Sequence, residues 1–369
     1  MTVKRFALLL FVGLLLGLLG AVAQEDDAEQ TPPAAEETTE ETVDEEAAPE
    51  EAESEETESE ETESEEETES EGDAEPSAEE KRIISIDSSG GNQSGNLRFG
   101  PILYDHPDPE GIEGTVSNLS VFAQNAELRG PEGEEVALTA ARGRRTATFS
   151  DGVRVTRNRL ESTGTDLTYT EENGLGILVG GVVINVAPKE EDGDPVVINA
   201  DEAEFDVDTD VSISKGGVTL ENGSQSAESD EIEFEEDRDL GCLRSEGAQV
   251  TARRVDDDGE ELVITADGIC TLTEEDKLLA TGNVTIVDGS ITSRGDIVYF
   301  DDTESRAEII GVDAPATSVD DEQGFEISGD RIEQRTDLDT IELIDDSVPS
   351  EYDPEQFALS SAQAATEPE

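Results

Sequence analysis

The chain has 369 residues, of which 95 are Asp or Glu and only 23 are Lys or Arg, so its net charge is −72. This charge argues against nucleic acid as a partner, because affinity for nucleic acid depends on basic side chains that neutralise phosphates. With one histidine, His106, and no Cys-x-x-Cys pair, the sequence gives almost no support for a zinc site.

Residues 1–23 have the features of a secretory signal peptide. Lys4 and Arg5 precede the apolar run 6–20, and Ala21-Val22-Ala23 is a small-x-small cleavage site. The alternative is an uncleaved membrane anchor, although the apolar run is short for a bilayer span of about 20 residues. The sequence therefore predicts export to the cell envelope.

Residues 24–80 form a strongly acidic tract with 29 Asp or Glu and no Lys or Arg. Such a segment cannot bury enough apolar surface to offset its ordering entropy, and repulsion between like charges keeps it extended. We predict a disordered acidic linker. The remainder, 81–369, still has 66 acidic and 21 basic side chains. A saline medium that screens their repulsion, or calcium binding, would each account for this acidity.

A small residue followed by Asp recurs between residues 165 and 330, with successive Asp positions of the repeat separated by 35, 29, 37, 29 and 34 residues. A glycine follows each of the first five Asp residues at an offset of 15 to 17. Apolar residues then alternate with polar ones, as in Val284-Thr285-Ile286, which predicts half-buried strands. The alternation of short and long spacings favours antiparallel pairs, so we predict an all-β fold of stacked antiparallel strands in tandem repeats.

The apolar alternation changes phase at the small–Asp pairs. Before Asp201 the apolar positions have even numbers, whereas Ala203 and Phe205 follow it at odd numbers. Because a one-residue slip would turn later side chains to the wrong face, the chain must bend or bulge at each pair, and Asp can accept hydrogen bonds from the backbone N–H groups left unpaired there. A ladder of Ca²⁺ ligands is the alternative role. The predicted corner residues are Asp166, Asp201, Asp230, Asp267, Asp296 and Asp330.

The repeat resembles a known family. Thr281-Gly282-Asn283-Val284-Thr285-Ile286, followed by Gly295-Asp296-Ile297-Val298-Tyr299, is similar to the repeat of the OstA-like/LptA family, and 198–205 fits the same pattern. The resemblance covers about 145–345, and 81–144 more loosely. It implies an OstA-like β-jellyroll with an apolar groove for acyl chains. It also implies a periplasmic bridge that passes lipopolysaccharide from the inner to the outer membrane and associates end to end through strand addition.

Two sets of side chains are candidates for contacts with a lipid. The first set consists of interior-facing apolar residues, which either line a groove or form ordinary core: Ile198, Phe205, Ile232, Phe234, Ile264, Ile269, Val284, Ile286, Val298 and Phe300. The second set consists of arginines, which either receive an anionic head group at the mouth of the groove or pair with nearby carboxylates: Arg142, Arg144, Arg145, Arg154, Arg157 and Arg159.

Cys242 and Cys270 lie in adjacent repeat units, where a disulfide and two separate buried thiols are both compatible with an exported protein. No Ser-His-Asp or Cys-His set is possible near the repeats, so we predict no enzymatic activity and no cofactor. The predicted divisions are a signal peptide (1–23), an acidic linker (24–80), N-terminal strands (81–144), the repeat jellyroll (145–347) and a disordered tail (348–369).

The predicted function is non-enzymatic. The chain would reside in the periplasm or cell envelope, bind lipopolysaccharide or another glycolipid in its groove, and help to convey it between the membranes. Its partners would be that lipid and other envelope transport components, or further copies of itself. The alternative is an acidic surface repeat protein with a structural, adhesive or Ca²⁺-binding role.

Overall fold

The computed structural model describes residues 81–96, 98–134, 136–191, 193–256, 259–345, 347, 349–350 and 353–360. The predicted signal peptide, the predicted acidic linker and part of the predicted tail lie outside these residues. Almost all of the regular structure in these residues is β, as the sequence predicts, and they form 23 strands and one short 3-10 helix, Pro354–Phe357. Within the described ranges, no helix has the length and apolar character needed to span a membrane.

The strands fall into three groups along the chain. Six short strands come first: β1 (Ser85–Asp87), β2 (Asn92–Gly95), β3 (Ile102–Asp105), β4 (Ile112–Val116), β5 (Leu119–Ala123) and β6 (Asn125–Arg129). Six long strands follow: β7 (Thr146–Arg157), β8 (Leu160–Thr170), β9 (Leu175–Val186), β10 (Val196–Asp206), β11 (Val211–Asn222) and β12 (Gln225–Glu235). Four short strands, two long strands and five short strands complete the chain: β13 (Leu240–Arg244), β14 (Val250–Val255), β15 (Glu261–Ala266), β16 (Gly268–Leu272), β17 (Lys277–Asp288), β18 (Ile291–Asp301), β19 (Arg306–Ile310), β20 (Ala316–Asp320), β21 (Phe325–Gly329), β22 (Arg331–Arg335) and β23 (Thr340–Leu343).

All strand pairs are antiparallel, and each long strand contributes one half to each of two rows of strands. In β10, for example, 202–206 pairs in the row that we call arm 1, and 196–200 pairs in the row that we call arm 2. The order in arm 1 is β2, β3, β6, β7, β8, β9, β10, β11, β12, β13, β16, β17, β18, β19, β22, β23. The order in arm 2 is β1, β4, β5, β7, β8, β9, β10, β11, β12, β14, β15, β17, β18, β20, β21.

The arms join at bulges in the middle of the long strands. At each bulge, two residues with a left-handed backbone oppose one residue on a neighbouring strand. Glycine suits these positions because it has no Cβ to clash at positive φ. Gly216 has a φ of 83°, and a Cβ there would lie 2.6 Å from Oδ2 of Asp201. The left-handed pairs are Asp151-Gly152, Gly180-Gly181, Gly216-Gly217 and Gly282-Asn283.

The predicted corner aspartates lie at or beside these junctions, and their contacts differ. Asp296 Oδ2 accepts hydrogen bonds from the backbone N–H groups of Val312 (2.6 Å) and Asp313 (3.0 Å). Asp230 Oδ2 accepts one from the N–H of Glu246 (2.8 Å). Asp267 Oδ2 instead accepts from the side-chain amide of Asn283 (2.7 Å). No side-chain hydrogen bond joins Asp166, Asp201 or Asp330 to any described residue, so the backbone-acceptor role applies to only part of the set.

One apolar core lies between the arms. Its members occupy alternate positions along the strands, because successive side chains of a strand point to opposite faces. The six N-terminal strands continue both arms, and Val121 and Leu128 of this region belong to the same core. The N-terminal strands and the long repeats therefore share one hydrophobic interior.

A second, smaller apolar cluster lies on the outer face of arm 1. It combines Leu240, Cys242, Leu272, Leu279 and Tyr299 with Phe357 and Leu359 of the C-terminal segment. Cys242 and Cys270 are directly opposed on β13 and β16 and form a disulfide bond.

The packing of 353–360 differs from the predicted disordered tail. Phe357 is buried and meets the ring of Tyr299 edge to face. Arg238 holds the segment by donating hydrogen bonds to the carbonyls of Ala358 (2.7 Å) and Gln356 (2.6 Å). The apolar side chains of Phe357 and Leu359 and the hydrogen bonds from Arg238 thus hold in place a segment whose overall composition is polar.

Candidate functional site

The ten apolar groove candidates all lie in the core between the arms, and each is at most 4% exposed. Arm 2 contributes Ile198, Ile264, Val284 and Ile286, and arm 1 contributes Phe205, Ile232, Phe234, Ile269, Val298 and Phe300. The predicted inward orientation is therefore observed for all ten. Their contact with a lipid stays a prediction.

A cavity of about 30 Å³ lies between the arms near the middle of the array. Ile264 and Ala252 line it from arm 2, and Ile269, Leu278 and Phe300 line it from arm 1. This volume holds about one water molecule. The arms as described are therefore closed at this position, and an acyl chain would enter only if they separated.

The six candidate arginines do not form one patch. Arg144 and Arg145 precede β7, whereas Arg157 and Arg159 lie at its other end, and a strand of this length spans roughly 35 Å. Arg142 is exposed. The structure thus corrects the prediction of a single head-group patch at the mouth of the groove.

Five of the six arginines form ion pairs with carboxylates, which is the alternative role that the sequence allowed. Arg145 donates to the fully buried Glu171, with the closest N–O distance at 2.5 Å. The other pairs are Arg144 with Glu134 (3.0 Å), Arg154 with Glu110 (3.0 Å), Arg157 with Glu236 (3.2 Å) and Arg159 with Asp239 (2.5 Å). Because abundant acidic residues surround each arginine, local pairing satisfies most of them.

Side-chain contacts join the tips of the two arms, at the strand ends farthest from the bulges. The first contacts along the arms are Asn118 with Asp210 (2.9 Å), Arg157 with Glu236 (3.2 Å), Arg159 with Asp239 (2.5 Å) and Lys189 with Asp239. The next are Asn222 with the Thr273 carbonyl (2.9 Å), Gln225 with Asp276 (3.3 Å), Gln225 with Asp302 (3.1 Å) and Arg254 with Asp302. We call this set of contacts the seam.

The seam is polarised by charge. Arm 2 supplies every donor in the set above, and arm 1 supplies every acceptor. Four of these donors are cations, which we call the cationic lip: Arg157, Arg159, Lys189 and Arg254. Nearer the C-terminus the direction reverses, because Gln334 of arm 1 donates to Asp288 of arm 2 (3.0 Å).

The seam includes groups that are almost fully buried. Arg157 and Glu236 are 1% and 2% exposed, and Arg157 Nη1 also donates to the carbonyls of Asp206 and Thr209. Burial raises the pKa of Glu236, and the charge of Arg157 acts in the opposite direction. Burial, and then the charge of Asp302, raises the pKa of Asp276. Glu236 and Asp276 of arm 1 are therefore held in a less polar setting than surface carboxylates.

The cavity lies directly inside one part of the seam. Asn222, Gln225 and Arg254 line it, and the guanidinium of Arg254 lies 6.0 Å from the centre of the Phe300 ring. The seam therefore separates apolar space from solvent at this position.

Sequence reasoning included Arg157 and Arg159 but missed Lys189, Gln225 and Arg254. A usable signal was present, since the two longest Asp spacings contain the mostly polar segments 188–195 and 255–261, and Lys189 lies within the first and Arg254 immediately before the second. Lys and Arg are scarce in this chain, so a basic residue beside such a segment could have singled out Lys189 and Arg254. Their partners could not be identified, because carboxylates are abundant everywhere.

No group of three or more His, Cys, Asp or Glu side chains within the described ranges is arranged to hold a metal ion. The aspartates proposed as a possible Ca²⁺ ladder are separated along the array, and two of them accept backbone hydrogen bonds.

Comparison with known proteins gives one family match, and no curated protein matches the chain significantly. Residues 197–304 match the family described as "LptA/(LptD N-terminal domain) LPS transport protein". Among solved structures, one similar chain is LptH from Pseudomonas aeruginosa, described as the LptA-homologous periplasmic component of the lipopolysaccharide transport device. It is 14% identical, the match covers 32% of this chain and 83% of LptH, and the TM-score of 0.30 is too low to carry an argument. The family match confirms that residues 197–304 are similar to the LptA/LptD N-terminal domain family.

Proposed function

We propose that this chain is a non-enzymatic protein of the cell envelope that holds the acyl chains of lipopolysaccharide or another glycolipid between its two arms and helps to convey the lipid between the inner and outer membranes. The observation that carries the proposal is the continuous apolar interior between the arms, to which both arms contribute. The match of 197–304 to a lipopolysaccharide-transport family supports it, and the predicted signal peptide supports a periplasmic location.

Association with further copies, or with related jellyrolls, is part of the proposal. Among the described residues, β2 and β1 have a strand partner on one side only, and so do β23 and β21 at the other end of the array. Unpaired strand edges can add a strand from another chain. Phe325 and Leu343, on β21 and β23, expose half or more of their surface at one of these ends.

The direct test is to purify the protein from its native envelope, extract bound lipid and identify it by mass spectrometry. The expected result is a glycolipid bound in a defined molar ratio to the protein. The control for carry-over of envelope lipid is a boiled sample of a soluble protein from the same preparation. Recovery of no lipid, together with folding that requires Ca²⁺, would favour the alternative role of an acidic surface repeat protein.

A further inference from the structure

We propose that the seam is the lateral entrance to the interior, and that the cationic lip binds the anionic head group of the amphiphile that enters there. The inference rests on the proposed function, since it assigns a route and a head-group site to the same lipid. The head group is a phosphate or a carboxylate, because both present the oxygens that guanidinium and ammonium groups bind.

The seam can open without loss of strand pairing. Each of its contacts involves a side chain, and none belongs to the backbone ladder of either arm. The arms are joined through bulges whose left-handed residues lie in β7, β9, β11 and β17, and glycine at most of these positions tolerates a positive φ without a clash. Parting the tips therefore breaks ion pairs and side-chain hydrogen bonds and leaves both arms intact.

The charge pattern identifies the head group. When the tips part, the carboxylates of Glu236, Asp239 and Asp302 remain with arm 1, and the four cations of the lip remain with arm 2. An anion that enters between the tips replaces those carboxylates as acceptor, which avoids leaving the cations unpaired beside apolar space.

Two details place the head group next to apolar space. Arg254 lines the cavity and lies over the ring of Phe300, so an anion held by Arg254 would have its tail directed at the cavity. The Nη2 atom of Arg157 is buried and has no hydrogen-bond partner among the described residues. Buried polar atoms without a hydrogen-bond partner are uncommon, and this N–H group of the lip can donate to an oxygen of the incoming head group.

The entrance is tested by cross-linking the tips. The variant Gln225→Cys/Asp302→Cys introduces two thiols across the seam, and a short bis-maleimide can join them because both native cysteines are in a disulfide. Binding of dodecyl phosphate and of dodecyl maltoside, below their micelle concentrations, is measured by isothermal titration calorimetry. Cross-linking is expected to weaken binding of both amphiphiles by at least about tenfold, because the tips can no longer part beside the cavity proposed to receive the tail.

The control is the same double variant treated with a monofunctional maleimide, which modifies the thiols without joining them and should still bind. Equal binding by the cross-linked and control proteins would overturn the lateral entrance. If the unmodified protein bound neither amphiphile, the proposed function itself would be overturned, so the two failures are distinguishable.

The head-group site is tested with Arg254→Gln. Binding of dodecyl phosphate is expected to fall about tenfold, since a charge-assisted hydrogen bond is lost, while binding of dodecyl maltoside changes little. The matched control is Arg244→Gln, which removes an arginine that pairs with Glu233 away from the seam. An equal change for both amphiphiles, or the same selective loss in the control, would overturn the assignment of the head group to the lip.

Discussion

Arg157, at the tip of arm 2, forms a buried ion pair with Glu236, at the tip of arm 1, although 79 residues separate them in the sequence. Neither side chain has more than 2% of its surface exposed. The pair therefore joins the arms at a point where neither charge is hydrated, and removal of one partner leaves the other as an uncompensated buried charge.

Arg157→Ala is expected to destabilise the protein by about 3–5 kcal/mol, because Glu236 would remain buried without its partner. Chemical denaturation measures the loss. The control, Arg154→Ala, removes an arginine from a pair with the exposed Glu110 and should cost about 1 kcal/mol or less. A double change to Met at both positions should recover most of the stability. Equal losses for Arg157→Ala and Arg154→Ala would contradict the buried role of the first pair.

Phe357→Ala is expected to lower stability by about 3 kcal/mol, because a buried aromatic side chain is removed from the outer cluster on arm 1. Hydrogen exchange should also show faster exchange in 353–360 than in the wild-type protein. Phe325→Ala is the matched control, since Phe325 is 50% exposed and its loss should cost less than about 0.5 kcal/mol. If hydrogen exchange in 353–360 were unchanged, the anchoring role of Phe357 would be wrong.

Asp288→Asn is expected to stabilise the protein at neutral pH. Burial raises the pKa of Asp288, so its ionised form costs stability above that pKa, and the cost disappears as the pH falls through it. The amide oxygen of Asn can still accept the hydrogen bond from Gln334. Thermal unfolding across a pH series measures the difference, which should shrink towards acidic pH.

Asp296→Asn is expected to change stability in the opposite direction to Asp288→Asn. Hydrogen bonds from the backbone N–H groups of Val312 and Asp313 lower the pKa of Asp296. Its ionised form therefore contributes stability above the unfolded-state pKa, and this contribution is lost as the pH falls through the folded-state value. Asp296→Asn should destabilise at neutral pH and approach the wild type in acid. The same sign for both variants would show that the local environments do not control these carboxyl groups.

Gly216→Ala is expected to destabilise more than Gly217→Ala, although both residues have positive φ. The left-handed backbone costs a residue with a side chain about 1–2 kcal/mol in each case. At Gly216 the new Cβ would also lie 2.6 Å from Asp201 Oδ2, whereas at Gly217 no atom lies within 4 Å. The two variants are compared by denaturant unfolding, and indistinguishable midpoints would contradict the close approach of Asp201 to the bulge.

The sequence predicted those parts of the fold that depend on local periodicity. Alternation at Val284 and Ile286 gave the strands and their buried faces, and the phase change at Asp201 coincides with a register shift in β10. Both signals arise within a few residues, because strand side chains alternate and a bulge shifts that alternation by one.

The seam and the C-terminal anchor could not be predicted in this way. Pairing Arg157 with Glu236 requires knowledge of which turns face each other across the interior, and the sequence offers 95 carboxylates as candidates. Phe357 stands in a polar segment, and its burial depends on apolar side chains contributed by four different strands of arm 1. Composition describes the average of a segment, whereas one aromatic side chain can decide where it packs.

The central bulges also determine how the molecule can deform. Because a left-handed step recurs in β7, β9, β11 and β17, the junction between the arms is divided into a series of joints instead of a single rigid hinge. Bending at one joint would part the seam contacts and the core side chains of the neighbouring strands, so the free energy of a local opening depends on both. A lipid that moves along the interior would need only the parts of the two arms next to it to be separated at any moment.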